Sequence, residues 1–287
     1  MLKNRFSFCI VLIVLFTFQA CQPATKSTAG KADELKIVSL NGTVSEILVD
    51  LGFEDNLVGV DVSSNYPNSL QEKPKVGHSR QFSAEGILAL APDVVIATNK
   101  DIKSELAEQI SNTGVKLLLF DHQFSPDGTK ALIQSMADSL DRQEKGDSIL
   151  IALQSDLEKI KTIEKKEPKP KVLFIYARGA GTMMVAGKDT QVEKMIELAG
   201  GVNAVHDFTE FKPLTAEALV AANPDVILLF DSGFSSLGGA EGLLEVQGVQ
   251  QTNAGKNRKF VEMEGQLLTG FSQRLGQAVE ELAKRIH

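Results

Sequence analysis

Two stretches of the chain repeat one another: SAEGILALAPDVV at residues 83–95 and TAEALVAANPDVI at residues 215–227. Each begins with a hydroxyl residue suited to capping a helix, continues with an apolar helical pattern, and ends in Pro-Asp before a β-branched run. Cap, Ala, Glu, Pro, Asp and Val fall in one register. A helix followed by Pro-Asp and a strand is also a common α/β idiom, so chance similarity is the alternative. Six matches in one register favour two related lobes.

Short β-branched runs alternate with helical patterns on both sides of this repeat. Such alternation is typical of a parallel α/β sheet. In the first half it predicts strands at 35–40, 56–60, 93–98 and 115–120, with helices at 43–52, 84–91 and 101–113. In the second half it predicts strands at 171–176 and 225–230, with helices at 190–200 and 216–223.

The stretch between the two halves has no strand pattern. Residues 127–167 carry an apolar stripe at helical spacing, long enough for one helix of roughly 50 to 60 Å, with Gly146 as a point of interruption. We therefore predict an N-terminal α/β lobe at 35–125, a connecting helix at 126–170 and a C-terminal α/β lobe at 171–287. Ligands of such sheets bind beyond the carboxyl ends of the strands, so a cleft between the lobes is the expected site.

The N-terminus has the features of a secretory signal. A basic start, an apolar run of about a dozen residues and a small residue occupy 1–20, and Cys21 follows. Phe18-Gln19-Ala20-Cys21 is similar to a bacterial lipoprotein processing box, with Phe in place of the usual Leu. We predict a lipid on Cys21 and a flexible tether over 21–34. The alternative is an ordinary signal peptide with a chance cysteine.

The net charge, the mean hydropathy and the cysteine content of the chain argue against several classes of function. The 287 residues carry a net charge of −7, which disfavours binding to nucleic acid or to an anionic bilayer surface. A mean hydropathy of −0.03 excludes a polytopic membrane protein. Removal of Lys3 and Arg5 with the signal leaves −9 on the mature chain. Cys9 leaves with the signal and Cys21 takes the lipid, so we expect no disulfide or thiolate site in the body.

From residue 35 to 285 the chain resembles the helix-backbone class of substrate-binding proteins for ABC importers, and within it the periplasmic haem-binding subgroup. The stretches that carry the resemblance are 76–98, 184–205, 211–229 and 248–283. It implies two Rossmann-like α/β lobes joined by one long backbone helix, with the ligand cleft between them. It also implies a monomer, not an enzyme, that captures haem and delivers it to an ABC permease dimer with its ATPase. The expected location is the periplasm or the cell surface, with the lipid as the only membrane contact.

His78 is the leading candidate ligand for iron. It stands in Val-Gly-His-Ser-Arg between a short strand and the helix capped by Ser83. A loop at the carboxyl end of a strand faces the cleft, and imidazole is a good axial ligand of haem iron. Haem-binding relatives usually have Tyr at this position, and that exchange keeps the role. The alternative is a surface-loop histidine with an ordinary hydrogen bond.

The second lobe supplies further candidates. Tyr176 ends a predicted strand and is either a second ligand or hydrogen-bond partner, or else a rim aromatic. Arg178 falls near the place where some haem-binding relatives have a second ligand. Since arginine does not ligate iron, His78 acts alone or with Tyr176. Met183 and Met184 are thioether candidates, but methionine in a strand is usually core packing.

Two more arginines are candidates for the cargo site, and the first is a candidate partner of the haem propionates. Arg80 follows His78 by two residues, and its guanidinium suits a carboxylate; an exposed, solvated side chain is the alternative. Arg274 stands in Gly-Phe-Ser-Gln-Arg, which matches a family loop reading Gly-Phe-Gly-Pro-Arg at the border of the cleft. Ser-Gln in place of Gly-Pro puts the shape of this loop in question.

Glu85 and Glu217 occupy equivalent positions of the repeat, in the first turn of each capped helix. The helix dipole favours acids there, which is the simpler explanation. In the resembled class, one acid on each lobe docks onto arginines of the permease dimer, so we predict this role for the pair.

Other cargoes and other chemistry remain as alternatives. The same fold could carry a ferric siderophore or cobalamin. An enzyme on this scaffold, such as a hydrolase or a metal chelatase, would need a convergent acid/base set, and the sequence contains no signature of one. His122 is predicted at the cleft edge, His206 precedes a Phe/Glu loop, and His287 is predicted to be frayed.

Overall fold

The computed structural model of the chain describes residues 35–79, 81–161 and 167–287. In the first lobe, strands alternate with helices as the sequence pattern predicts. Its elements are β1 (Ile37–Ser39), α1 (Gly42–Asp50), β2 (Leu57–Val60), α2 (Ala84–Leu88), β3 (Val94–Thr98), α3 (Ser104–Ser111) and β4 (Lys116–Phe120), with a 3-10 turn at Asn68–Glu72. The strands pair in parallel in the order β2-β1-β3-β4. The first lobe is therefore a parallel α/β sheet.

Two helices, α4 (Pro126–Ser139) and α5 (Gln143–Ile160), follow the first lobe where one continuous helix was predicted. The break lies at residues 140–142, where Asp141 has a left-handed backbone with φ 55° that a continuing helix does not allow. The longer helix, α5, spans about 27 Å, half the predicted length. Gly146 lies inside α5 and does not interrupt it. A Cβ added there would lie 2.5 Å from the Cβ of Ala137, so this glycine lets α5 pack closely on α4.

The second lobe is a mixed sheet. Its elements are β5 (Lys171–Ala177), β6 (Met183–Ala186), α6 (Gln191–Leu198), β7 (Val202–Asn203), β8 (Phe211–Pro213), α7 (Ala216–Ala222), β9 (Val226–Phe230), α8 (Asp231–Ser236), α9 (Gly239–Leu244), a 3-10 turn at Val249–Gln251, α10 (Asn253–Lys256), β10 (Phe260–Met263), α11 (Gly265–Thr269) and α12 (Leu275–Ile286). The strand order is β10-β9-β5-β6-β8, with β7 also paired to β5. The parallel prediction fails for β6, which is antiparallel to both neighbours because a short turn joins it to β5.

The repeated sequence forms the same capped helix in both lobes. The side chain of Ser83 accepts a hydrogen bond from the amide of Gly86 at 3.1 Å, at the start of α2. Thr215 accepts one from the amide of Ala218 at 3.2 Å, at the start of α7. Each helix leads into a buried strand, β3 or β9. The repeat is therefore structural as well as sequential.

The aspartates of the two Pro-Asp pairs also have matching partners. Asp93 accepts a hydrogen bond at 2.8 Å from the amide of Lys36, which precedes β1. Asp225 accepts one at 2.9 Å from the amide of Lys171, the first residue of β5. Each carboxylate therefore satisfies an amide at the amino end of the neighbouring strand.

One hydrophobic cluster runs through both lobes and the helices between them. It includes Ile37 of β1, Met136 of α4, Leu153 of α5, Phe174 of β5 and Leu282 of α12, all at most 1% exposed. Because α5 packs against both α4 and α12, this core ties the two sheets to a common support.

The predicted signal at 1–20, the tether at 21–34 with Cys21, and Arg80 lie outside the described residues. So does 162–166 of the predicted connection. Within the described ranges, no helix is both long enough and apolar enough to cross a bilayer.

Candidate functional site

Loops at the carboxyl ends of the strands meet between the lobes. The amide of Asn65, after β2, donates to Oε1 of Gln266, after β10, at 3.1 Å. The hydroxyl of Thr43, after β1, donates to the carbonyl of Gly270 at 2.6 Å. The carboxyl edges of the two sheets therefore face each other. This is the edge at which open α/β sheets bind ligands, so the candidate site lies between them.

His78 stands at this edge of the first sheet. The run leading to it follows β2 in parallel, since Lys75 bridges Val60 and the amide of Val62 donates to the carbonyl of Gly77 at 2.9 Å. Gly77 has φ 111°, a conformation that other residues rarely adopt, and it turns the chain out of the sheet. His78 follows at once, beyond the carboxyl end of the run.

The imidazole of His78 is exposed, and its Nδ1 lies 3.3 Å from the hydroxyl of Ser79. The amide of Gln81 donates to the carbonyl of His78 at 2.7 Å and closes a turn around it. A contact at Nδ1 orients the ring, so Nε2 is the nitrogen that an incoming metal would meet.

Tyr176 and Arg178 lie together on the facing edge, at the end of β5. The ring of Tyr176 is half-buried and meets the ring of Phe230 edge-on, with 6.2 Å between centroids. The guanidinium of Arg178 is exposed and lies over the Tyr176 ring, 5.7 Å from its centroid. The second lobe therefore presents a phenol and a cation, and the first lobe an imidazole.

Arg274, which the sequence predicts at the border of the cleft, is buried between the lobes. Its guanidinium makes a bidentate ion pair with Glu46 of α1, with 3.0 Å between Nε and Oε2. The guanidinium carbon also lies 3.6 Å from the ring centroid of Tyr66. Burial alone would lower the pKa of Arg274, but the hydrogen bond and charge of Glu46 raise it. Contact between Arg274 and a cargo stays a prediction.

Glu85 and Glu217 are both exposed, in the first turns of α2 and α7. Each helix returns the chain between two strands of the same direction, so each begins at the carboxyl edge of its sheet. The paired glutamates therefore lie on the two edges that face each other.

One prediction about the remaining histidines is wrong, and another stays a prediction. His122, predicted at the cleft edge, follows β4 but is only 7% exposed: its Nε2 lies 3.4 Å from the carbonyl of Phe271, and burial lowers its pKa to about 4. His287 is bonded, with Nε2 3.2 Å from the carbonyl of Ala199, and is not frayed. Among the described residues, no group of three or more His, Cys, Asp or Glu side chains is placed to hold a metal ion.

Sequence reasoning did not single out Glu46 or Tyr66. Glu46 gives a signal in retrospect, since it is an acid in the apolar α1 beside Val44, Ile47 and Leu48. A buried acid of this kind needs a cation, but the sequence does not say which one.

Comparison with known proteins supplies the family. Residues 37–267 match the model of a family described as periplasmic binding protein. The chain belongs to this family. It is similar to the structure of the periplasmic heme-binding protein RhuT from Roseiflexus sp. RS-1 in apo form, at 37% identity, with 88% of this chain and 97% of that one covered and a TM-score of 0.82.

Two further relatives match this chain over a similar share of its length. The periplasmic heme-binding protein BhuT, in complex with two hemes, is 33% identical over 88% of this chain and 97% of its own, with a TM-score of 0.83. YvrC of Bacillus subtilis, described as an uncharacterized ABC transporter substrate-binding lipoprotein, is 30% identical over 263 residues, covering 90% of this chain and 81% of its own. These relatives are binding proteins, and they confirm the family resemblance and the two-lobed α/β fold.

Proposed function

We propose that the chain captures haem outside the cytoplasm and delivers it to an ABC permease for uptake. The observation that carries this proposal is the similarity to RhuT and BhuT, which covers 97% of each of those chains at 37% and 33% identity. The protein performs no chemistry on the haem. It holds the cargo between its lobes and releases it to the transporter.

His78 is the proposed axial ligand. Its loop position, its exposure and the Ser79 contact at Nδ1 support ligation through Nε2. Nitrogen and oxygen donors both bind ferric haem iron, so an imidazole suits this role.

The second lobe completes the proposed cargo site. Tyr176 is the second ligand or a hydrogen-bond partner, and Arg178 orients its ring from above. Arg178 and Arg80 are also the arginines that we assign to the haem propionates, whose carboxylates fit a guanidinium. The pairing of Arg274 with Glu46 favours a role for Arg274 in holding the cleft border over direct binding of haem.

Glu85 and Glu217 are the proposed docking residues for the permease dimer and its ATPase. Their exposure, their equivalent places in the repeat and their position on facing edges support a partner with two-fold symmetry. Acids also stabilise the first turn of any helix, so their charge alone does not carry the assignment.

The remaining proposals concern anchoring and organisation. A lipid on Cys21 after removal of 1–20 would tether the body through 21–34, and the description of YvrC as a lipoprotein supports this. We propose lobes at 35–125 and 171–287 with a helical connection at 126–170, acting as a monomer without nucleic-acid partners. The lipid is then the only membrane contact, at the periplasmic or cell surface.

A haemin titration tests the cargo. The purified full-length protein should give a saturable shift of the Soret band. His78→Ala should weaken binding at least about tenfold, since it removes a metal ligand. The matched control is His206→Ala, which removes an exposed imidazole of the other lobe and should leave binding unchanged. Absence of a shift, with binding of a ferric siderophore or cobalamin instead, would contradict the haem assignment.

A further inference from the structure

The segment 270–274 of the second lobe is bonded to side chains of the first lobe and of α4. The hydroxyl of Thr43 donates to the carbonyl of Gly270 at 2.6 Å. The hydroxyl of Thr129, in α4, donates to the carbonyl of Phe271 at 2.9 Å. These contacts are buried and join residues more than a hundred positions apart in sequence, so they fix the two lobes relative to each other.

Phe271 adds an aromatic contact to this junction. It is 1% exposed, and its ring centroid lies 5.6 Å from that of Phe124. Phe124 in turn meets the ring of His122, with 4.9 Å between centroids. The backbone of Phe271 has φ 49°, which is costly for an aromatic residue and persists only where the surroundings hold it.

A charged contact completes the junction on α1. Arg274 forms its bidentate ion pair with Glu46, and the hydroxyl of Ser272 donates to the same carboxylate at 2.7 Å. The side-chain Nε2 of Gln273 donates to the carboxylate of Asp50, one helical turn further along α1, at 2.9 Å. Glu46 is 1% exposed, so removal of its charge would leave the Arg274 cation without its buried partner.

We infer that the 270–274 segment is a latch that sets the spacing of the lobes, and that Glu46 is the positioning residue that holds it closed. The latch lies on the facing carboxyl edges, so its state sets the width of the cleft. The inference does not depend on which cargo fills the cleft.

Glu264 gives Arg274 a second partner on its own lobe. The Nη2 of Arg274 lies 3.8 Å from Oε2 of Glu264, whose carboxylate also accepts the amides of Gln266 and Leu267 at the start of α11. When Glu46 is lost, Glu264 can neutralise Arg274 within the second lobe. The segment can therefore leave α1 while Arg274 keeps a carboxylate partner, as a latch with two positions requires.

Distance measurement between spin labels tests the latch. Cysteines placed at the exposed Gln109 of α3 and Ala218 of α7, with Cys9 and Cys21 replaced by serine, report the separation of the lobes without any cargo. Glu46→Gln should move the mean distance by more than about 2 Å or broaden its distribution. The matched control is Glu281→Gln, which breaks the ion pair with Arg285 inside α12 and should change neither.

A second variant keeps the test decisive if Glu46→Gln does not fold. Thr43→Val with Thr129→Val removes both hydroxyl contacts to the segment at nearly constant side-chain volume, and should change the distance distribution in the same direction. Distances unchanged from the parent in folded variants would overturn the latch. Because no haem is present, failure of haem binding leaves this result unaffected.

Discussion

The guanidinium of Arg178 lies over the aromatic face of Tyr176, 5.7 Å from its centroid, at the point where β5 ends. The face of an aromatic ring attracts a cation, so the exposed arginine limits the orientation of the half-buried tyrosine. The two residues form one unit on the edge that faces His78.

Removal of the Tyr176 hydroxyl tests whether the second lobe ligates the cargo. In Tyr176→Phe the packing against Phe230 remains while the oxygen is lost, so we expect a changed ferric haem spectrum and an affinity lowered by about tenfold. Visible absorption during haemin titration measures both. Tyr66→Phe removes the same group from the other tyrosine and serves as the control. A Tyr176→Phe spectrum identical to that of the parent would exclude Tyr176 as a ligand.

Reversal of charge at the two exposed glutamates tests docking. Glu85→Arg with Glu217→Arg should abolish uptake through the permease, because like charges then meet at both lobes. Haemin affinity should not change. The control is Glu144→Arg, which reverses an exposed acid in the first turn of α5, outside the repeat. Uptake of haem by cells, measured beside titration of the purified variants, separates docking from binding. Normal uptake by the double variant would refute the assignment.

The close packing of α5 on α4 depends on Gly146 and Ala137. Gly146→Ala brings two methyl groups to 2.5 Å, and we expect a loss of about 1 to 3 kcal/mol in the free energy of unfolding. This loss should appear although alanine favours a helix more than glycine does. Adding Ala137→Gly should recover part of it, because space returns on the facing helix. Urea unfolding measures each variant. A stabilised single variant would show that the helices can separate without cost.

The buried His122 predicts a pH dependence of stability. Burial lowers its pKa to about 4, from an ordinary value of 6.5 when unfolded. Between these values the unfolded chain binds the extra proton, so His122 destabilises the fold as pH falls from 6.5 towards 4, by up to about 3 kcal/mol. Lys100, whose charge also disfavours the protonated ring, acts in the same direction.

Substitution His122→Gln should remove this part of the pH dependence while leaving a polar group near the carbonyl of Phe271. The measurement is the difference in unfolding free energy between parent and variant at pH 7 and at pH 4.5. Acids that titrate in the same range cancel in this difference. A difference that does not change with pH would contradict the assignment.

The sequence by itself determined the four strands of the first lobe, β5 and β9 of the second lobe, the capped helices of the repeat and the family. These features rest on local chemistry: a hydroxyl next to free amides starts a helix, proline and glycine end one, and β-branched runs form strands. The residues before the two prolines, Ala91 with φ 47° and Asn223 with φ 41°, are both left-handed, although α7 runs two residues further than α2 in the register of the repeat. Loop position also indicated which histidine stands at the sheet edge.

The tertiary structure alone decided which groups from distant parts of the chain pair with each other. The break before α5 depends on packing between helices, so the apolar stripe at 127–167 did not reveal it. The antiparallel direction of β6 depends on a short turn, so the alternation of strands and helices did not reveal it either. The partners Glu46 and Arg274 are 228 residues apart, and no local pattern encodes their meeting. His122 follows its strand as a cleft residue would, yet contact with Phe271 buries it. Burial and charge pairing follow from the whole fold, and therefore only the fold could reveal them.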